Sequence, residues 1–249
     1  MSKARRLHYL NKNFILAQLP PDEIESLQPA MQMARMTPED LIFRANERVE
    51  YVYFPITAML SWIATTSEGE RVEVGVVGWE GMVGVPEMLG YSIAPFTVEV
   101  ELPGDVVRIR AEVFRRTFER VSLIQNLLFR YYFTAHTQLA QSCVCNRFHT
   151  VEERMNRWLL MAHDRCDGDE LALTQEILAG MIGARRPAVS IVLGNLQKAG
   201  LIRIERGRIT ILQREKMEES ACECYRVIRE AFDHFIEDYQ SSVNGFHGA

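Results

Sequence analysis

No apolar run in this chain reaches the ~18 residues that a membrane-crossing helix needs. The densest stretch, 127–133, is interrupted by Arg130, so no membrane partner is expected. The N-terminus carries Lys3, Arg5 and Arg6, but Asn11, Lys12 and Asn13 break the stretch before a signal-like apolar core can form. A cytoplasmic protein is expected. Cysteine is absent from the first 142 residues, and the five present (143, 145, 166, 222, 224) are an odd number. That pattern does not suit a secreted disulfide framework, and reduced thiols are expected. Proline is missing between Pro103 and Pro187, which leaves that stretch free to form long helices. Lysine and arginine are missing between Arg71 and Arg108. No Ser/His/Asp constellation, HExxH or paired-carboxylate arrangement stands out, and neither a P-loop nor GxGxxG is present. Enzyme chemistry and a cofactor are therefore not expected.

What is present is unevenly distributed. The chain has 249 residues and a net charge of −5, which would argue against a nucleic-acid partner if it were spread evenly. By segment, residues 1–110 carry −5, 111–169 carry +1, 170–216 carry +4 and 217–249 carry −5. One short basic island sits in an acidic protein. Eight of the nine prolines precede residue 105, in a region where β-branched and aromatic residues alternate with polar ones. Strands are expected at 49–54, 59–66, 71–77, 96–102 and 106–109, with turns at Ser67-Glu68-Gly69 and Pro103-Gly104-Asp105. Several short strands at even spacing suggest a barrel or jelly-roll-like sandwich. Ahead of them, 21–30 reads as a short amphipathic entry helix using Ile24 and Leu27.

From 123 to 133 apolar residues fall on nearly every helical face, so a helix there must be covered on more than one side. Over 122–147, Leu128, Tyr132, Ala135, Leu139 and Ser142 follow the 4-3-4-3 spacing of a seam between identical helices. A homodimer through this helix is expected, the alternative being a helix buried within one chain. A second helix is expected at 151–165, and 215–239 reads as an amphipathic helix packing on the body or on a partner.

The basic island is the most informative stretch. Thr174 is placed to cap a helix whose first turn holds Glu176 and whose apolar stripe is Ile177, Leu178, Met181 and Ile182. Gly183 suits the left-handed backbone of a tight turn, and Pro187 suits the first turn of a second helix. That helix buries Val189, Val192, Leu193 and Leu196 and ends at Lys198-Ala199-Gly200. Ile202, Ile204, Ile209 and Ile211 then alternate with Arg203, Glu205, Arg208 and Thr210 around Arg206-Gly207, a two-faced hairpin. Helix, turn, helix and hairpin in that order make a winged helix, whose second helix can enter the major groove of double-stranded DNA. Candidate DNA contacts are Thr174 and Gln175 on the first helix, and Arg185, Arg186, Ser190 and Asn195 on the second. Arg203, Arg206 and Arg208 of the hairpin would follow the phosphates.

At this point the sequence resembles the Crp/Fnr superfamily of bacterial transcription regulators, from about Leu16 to Arg214. The likeness rests on the winged helix and on Leu19-Pro20, Leu27-Gln28-Pro29, Val52-Tyr53-Phe54-Pro55, Val74-Gly75-Val76-Val77-Gly78 and Gly81-Met82-Val83-Gly84. It implies an α+β chain: an N-terminal double-stranded β-roll of the cyclic-nucleotide-binding type at 14–121 and a dimerisation helix at 122–149. A winged helix at 150–216 and a C-terminal helical extension at 217–249 complete it. It also implies a homodimer on a palindromic operator, RNA polymerase as a partner, and an effector. Two departures limit that likeness. Where nucleotide-binding members place a Gly-Glu pair and a later Arg-Ser or Arg-Thr, this chain has Gly81-Met82 and no arginine up to Arg108. A buried phosphodiester there would lose charge-assisted hydrogen bonds of roughly 1.5–3 kcal/mol each, so cyclic AMP is not the expected signal. In the second helix, Arg186-Pro187 and Ile191 replace an Arg-Glu pair and a later arginine, so the operator sequence does not carry over.

Gly75, Gly78, Gly81 and Gly84 read as turn glycines of the roll. Cys143 and Cys145, two apart on a helix, point about 200° from each other and do not suit joint chelation; Cys222 and Cys224 share that spacing. No metal site is expected. The competing reading is an effector-binding or protein-interaction module that no longer engages DNA.

Overall fold

A computed structural model describes residues 9–38 and 40–246, with the side chains of the last helix described as far as Tyr239. Lys3, Arg5 and Arg6, on which the expectation about a signal-like segment rests, lie outside these residues, as do the last three residues of the 217–249 extension. Two short helices, α1 (Phe14–Ala17) and α2 (Pro21–Leu27), precede β1 (Gln32–Met36), β2 (Leu41–Phe43), β3 (Tyr51–Pro55), β4 (Met59–Thr65) and β5 (Arg71–Val77). A single turn, α3 (Val85–Met88), leads to β6 (Thr97–Leu102) and β7 (Gly104–Arg110). Helices α4 (Ala111–Arg120), α5 (Ser122–Phe148) and α6 (Val151–His163) follow. The C-terminal part is β8 (Glu170–Leu171), α7 (Gln175–Met181), α8 (Arg186–Lys198), β9 (Ile202–Glu205), β10 (Arg208–Ile211), α9 (Arg214–Ser220) and α10 (Glu223–Phe246).

The first seven strands form two antiparallel sheets, β1-β7-β3 and β2-β6-β4-β5. Their inward residues, among them Tyr53, Leu60, Val77, Val98, Val100 and Val106, make the interior of the roll. This is the expected α+β arrangement of β-roll, long helix and winged helix. The sequence pattern missed β1 and β2 because they are edge strands with mostly exposed or half-buried residues, so no apolar alternation marks them. The single helix expected at 215–239 is two: the backbone turns extended at Ala221, the C-cap of α9, before α10 begins.

Helix α5 is about 40 Å long at 1.5 Å per residue and lies along the roll. Its Gln138 donates from Nε2 to the Val76 carbonyl at 2.9 Å, and its Tyr131 hydroxyl donates to the Met82 carbonyl at 3.0 Å. A Cβ at Gly75 would collide with Gln138 and Trp62, and one at Gly81 with the Tyr131 phenol. These two glycines clear the approach of α5; of the four, Gly84 has a left-handed backbone, with φ 101°. The winged-helix unit is also tied to the roll. Trp158 donates to the Glu73 carboxylate at 2.8 Å, and Arg165 pairs with Glu80 at 2.8 Å, both deep in the interior.

The expected dimer seam needs correction. Leu128, Ala135 and Ser142 are buried inside their own chain, at 1%, 3% and 3% exposure; of the five residues, Tyr132 is exposed and Leu139 half-buried. Apolar spacing alone could not tell which stripe of a helix coated with apolar residues turns inward. The chain supplies its own cover in α10, whose Phe235 packs on Tyr131 and Phe14 with ring centroids 6.0 and 5.2 Å apart. The outward ridge of α5 is displaced by one residue, and by two at its end, at Phe129, Phe133, His136, Ala140 and Val144.

Candidate nucleic-acid interface and effector cavity

Thr174 caps α7: its hydroxyl accepts from the Ile177 amide at 3.2 Å. The helix stops at Ile182, Gly183 takes φ 60°, and the Ala184 amide donates back to the Ala179 carbonyl at 3.0 Å. The chain then enters α8 with Arg185 as N-cap and Pro187 in the first turn. The two helices are bent by 110°, within the range of a helix-turn-helix. Val189, Val192, Leu193 and Leu196 fix α8 to the core. Arg185, Arg186, Ser190, Ile191 and Asn195 are left in solvent.

Beside them β9 and β10 pair in register, Ile209 opposite Ile204 and Ile211 opposite Ile202, and β8 joins β10 as a third strand. At the tip both Arg206 (φ 30°) and Gly207 (φ 76°) are left-handed, as a two-residue hairpin turn requires. Arg203, Arg206 and Arg208 are exposed, as is Thr174; Gln175 is half-buried. Arg186 pairs with Glu176 at 3.5 Å, Arg203 with Glu205 at 3.1 Å and Arg208 with Glu170, all as exposed pairs. Such pairs are worth ~0–1 kcal/mol, so the guanidiniums exchange readily onto a phosphate. Arg185 and Arg206 have no carboxylate partner among the described residues. The structure leaves the sequence-predicted residues on the solvent-facing surface of the two helices and the wing, with Gln175 half-buried. Ile191, 65% exposed in the middle of that surface, was missed; an apolar residue out of phase with the buried stripe of α8 was the available signal.

A cavity of about 200 Å³ lies between the roll and α5, lined by Trp62, Met82 and Val98 on one side and Tyr131, Ala135 and Leu139 on the other. No lysine or arginine lines it; His136 is the one basic side chain in its wall. Burial pushes the Tyr131 phenol well above its ordinary pKa, so it serves as a neutral donor, and it already donates to Met82.

Four side chains brought together from distant parts of the chain have the chemistry of metal ligands. Cys145, His149, Cys222 and Cys224 converge so that their donor atoms all lie within 4.8 Å of one another. Cys222 and Cys224 both belong to the cluster, whereas Cys143 points to solvent and Cys145 shares a helical face with His149 four residues on. Among the described residues no single helix is long and apolar enough to cross a membrane.

Residues 153–220 match the Crp-like helix-turn-helix domain family, and residues 34–121 match the cyclic nucleotide-binding domain family. No curated protein sequence matches the chain. Among solved structures, FixK2 from Bradyrhizobium japonicum superposes with a TM-score of 0.67 at 15% identity, over 77% of this chain and 98% of that one. The c-di-GMP responsive global regulator CLP of Xanthomonas campestris gives 0.58 at 19% identity, over 77% and 99%. A CRP-family transcriptional regulator from Thermus thermophilus gives 0.54 at 18% identity, over 76% and 96%. These likenesses are ones of fold. With a cyclic nucleotide-binding domain followed by a Crp-like helix-turn-helix domain on a shared fold, the chain belongs to the Crp/Fnr superfamily.

Proposed function

We propose that the protein is a homodimeric, sequence-specific DNA-binding regulator of transcription, acting in the cytoplasm without catalysing a reaction. Its β-roll (14–121) takes an uncharged, largely apolar effector. The dimer helix spans 122–149, the DNA-binding domain 150–216 and the helical extension 217–249. The observation that carries this reading is the solvent-facing set on α8, Arg185, Arg186, Ser190, Ile191 and Asn195, flanked by the arginines of the wing. Arg186, in the first turn, reaches guanine O6 and N7; Ser190 and Asn195 meet base edges, and Ile191 meets a thymine methyl. Thr174, Gln175 and the wing arginines hold the backbone, fixing register without reading sequence. The outward ridge of α5 supports self-association, since Phe129, Phe133 and Val144 on it are apolar and exposed. Two-fold symmetry then calls for a palindromic operator with half-sites one or more helical turns apart, with RNA polymerase recruited or blocked beside it. The apolar cavity, without a cation, disfavours cyclic AMP, because a phosphodiester buried there would lack a charged partner.

Selection of bound fragments from random DNA tests this. A palindromic motif is expected, and Arg186→Ala should weaken specific binding by about 1–3 kcal/mol while relaxing one base pair per half-site. An unchanged motif would remove Arg186 from base readout. Indifference to DNA together with a monomeric mass in sedimentation overturns the whole reading.

A further inference from the structure

We propose that Cys145, His149, Cys222 and Cys224 form a tetrahedral zinc site that pins the start of the C-terminal helix to the joint between α5 and α6. Cys145 lies in the last turn of α5, and His149 is its C-cap, where the backbone leaves the helix at φ −104° and ψ 150°. Cys222 sits in the break between α9 and α10, and Cys224 in the first turn of α10. The three thiols are buried and the imidazole half-buried. Cys145 Sγ is 3.5 Å from Cys222 Sγ, and Cys224 Sγ is 3.5 Å from His149 Nδ1. A tetrahedral ion with ~2.3 Å bonds to sulfur and ~2.0 Å to nitrogen spaces its ligands about 3.5–3.8 Å apart. Two of the six donor separations therefore match edges of that tetrahedron, and all six are within 4.8 Å. A disulfide would bring two sulfurs to about 2.05 Å and leave the other two donors unused.

Two further features point to an ion. The other ring nitrogen of His149, Nε2, lies 3.2 Å from a Glu223 carboxylate oxygen. That contact holds the proton on Nε2 and turns the Nδ1 lone pair toward Cys224, the carboxylate–histidine arrangement that supports metal-bound imidazoles. Three thiolates, a neutral imidazole and a divalent ion carry a net charge of −1, and a buried cation stands by to balance it. Arg157, 2% exposed, lies within electrostatic reach of Cys145 and Cys224, and its Nε has no hydrogen-bond partner. The thiolate-rich set selects a soft ion over magnesium or calcium. With all four positions supplied by the protein, the site is structural. Its ligands come from the end of α5, from the break between α9 and α10 and from the first turn of α10, so occupancy pins the C-terminal helix to the end of the long helix.

The test uses the full-length protein, purified reduced, stripped with a chelator and titrated with cobalt(II) or zinc. One equivalent of zinc per chain is expected, and cobalt should saturate at one equivalent with the thiolate charge-transfer and intense d–d absorption of a tetrahedral site. Cys145→Ser and Cys224→Ser should lose that spectrum, while Cys143→Ser and Cys166→Ser should keep it. Glu223→Gln should weaken zinc binding about 10–100-fold without changing the stoichiometry. Because ligand variants can misfold, the wild-type cobalt titration stands on its own: a failure to bind one equivalent overturns the proposal. So does an unaltered spectrum in Cys145→Ser, or a Cys145–Cys222 disulfide in the protein isolated without oxidant.

Discussion

Helix α8 and the wing keep their charges in water, whereas the β-roll buries several carboxylates. On α8 and the wing, Arg185, Arg186 and Arg206 are exposed, and what ion pairs exist there lie in solvent. In and under the roll, Glu73, Glu80 and Glu101 are each less than 5% exposed. A solvated guanidinium costs the fold little and stays available to a partner. A buried carboxylate must be hydrogen-bonded, paired or protonated. Glu80 meets this demand with Arg165 and the Gly78 amide, Glu73 with Ser61 and Trp158. The exposed set thus speaks about binding, and the buried set about how the two units of the chain are held together.

The largest effect should come from breaking a buried pair. Arg165→Met leaves Glu80 without its cation in the interior, a loss of about 3–5 kcal/mol, on the order of a 10 °C fall in Tm. Adding Glu80→Gln should recover part of the loss. A single variant as stable as the wild type would show that this contact does not tie α6 to the roll. Next in size is a pH effect. Burial, with Glu73 and Glu99 nearby, pushes the Glu101 carboxyl up to about 8, and burial also raises Glu73. The folded chain therefore holds a proton that the unfolded chain releases near pH 4.5. The stability this gives is full below that pH and is lost as pH rises through about 8, at up to about 1.4 kcal/mol per pH unit for each such group. Tm should fall between pH 5.5 and 8.5, and Glu101→Gln should flatten the slope; parallel slopes would deny Glu101 its raised value.

The same division decides how much was legible in the sequence. The winged helix could be read almost residue by residue, because capping, glycine turns and hairpin alternation are local rules and its functional side chains point away from the core. Strand β5 was equally clear from its alternation. The α5 seam was misread because the inward stripe depends on α10, about 100 residues further on, and no local pattern reports that cover. The Cys145, His149, Cys222 and Cys224 cluster was hidden for the same reason: the end of α5 and the start of α10 supply it, and the C-x-C spacing taken alone argued against chelation within each segment. Glycines read as turns in fact clear a path for Gln138 and Tyr131, a demand set by packing between distant elements.

The smallest effect is the sharpest probe of the exposed set. Arg206 holds the wing tip at φ 30°, a backbone in which asparagine is at ease and most side chains are strained. Arg206→Asn removes the charge and eases the turn, so Tm should hold or rise slightly. If the wing follows the phosphates, the plot of log binding constant against log salt should flatten by about one unit for each wing in contact. The ranking of bound sequences should stay the same, because phosphate contacts carry no base information. A loss of stability would place Arg206 with the structural charges of the roll. Equal salt slopes for the two proteins would leave α8 alone to hold the duplex.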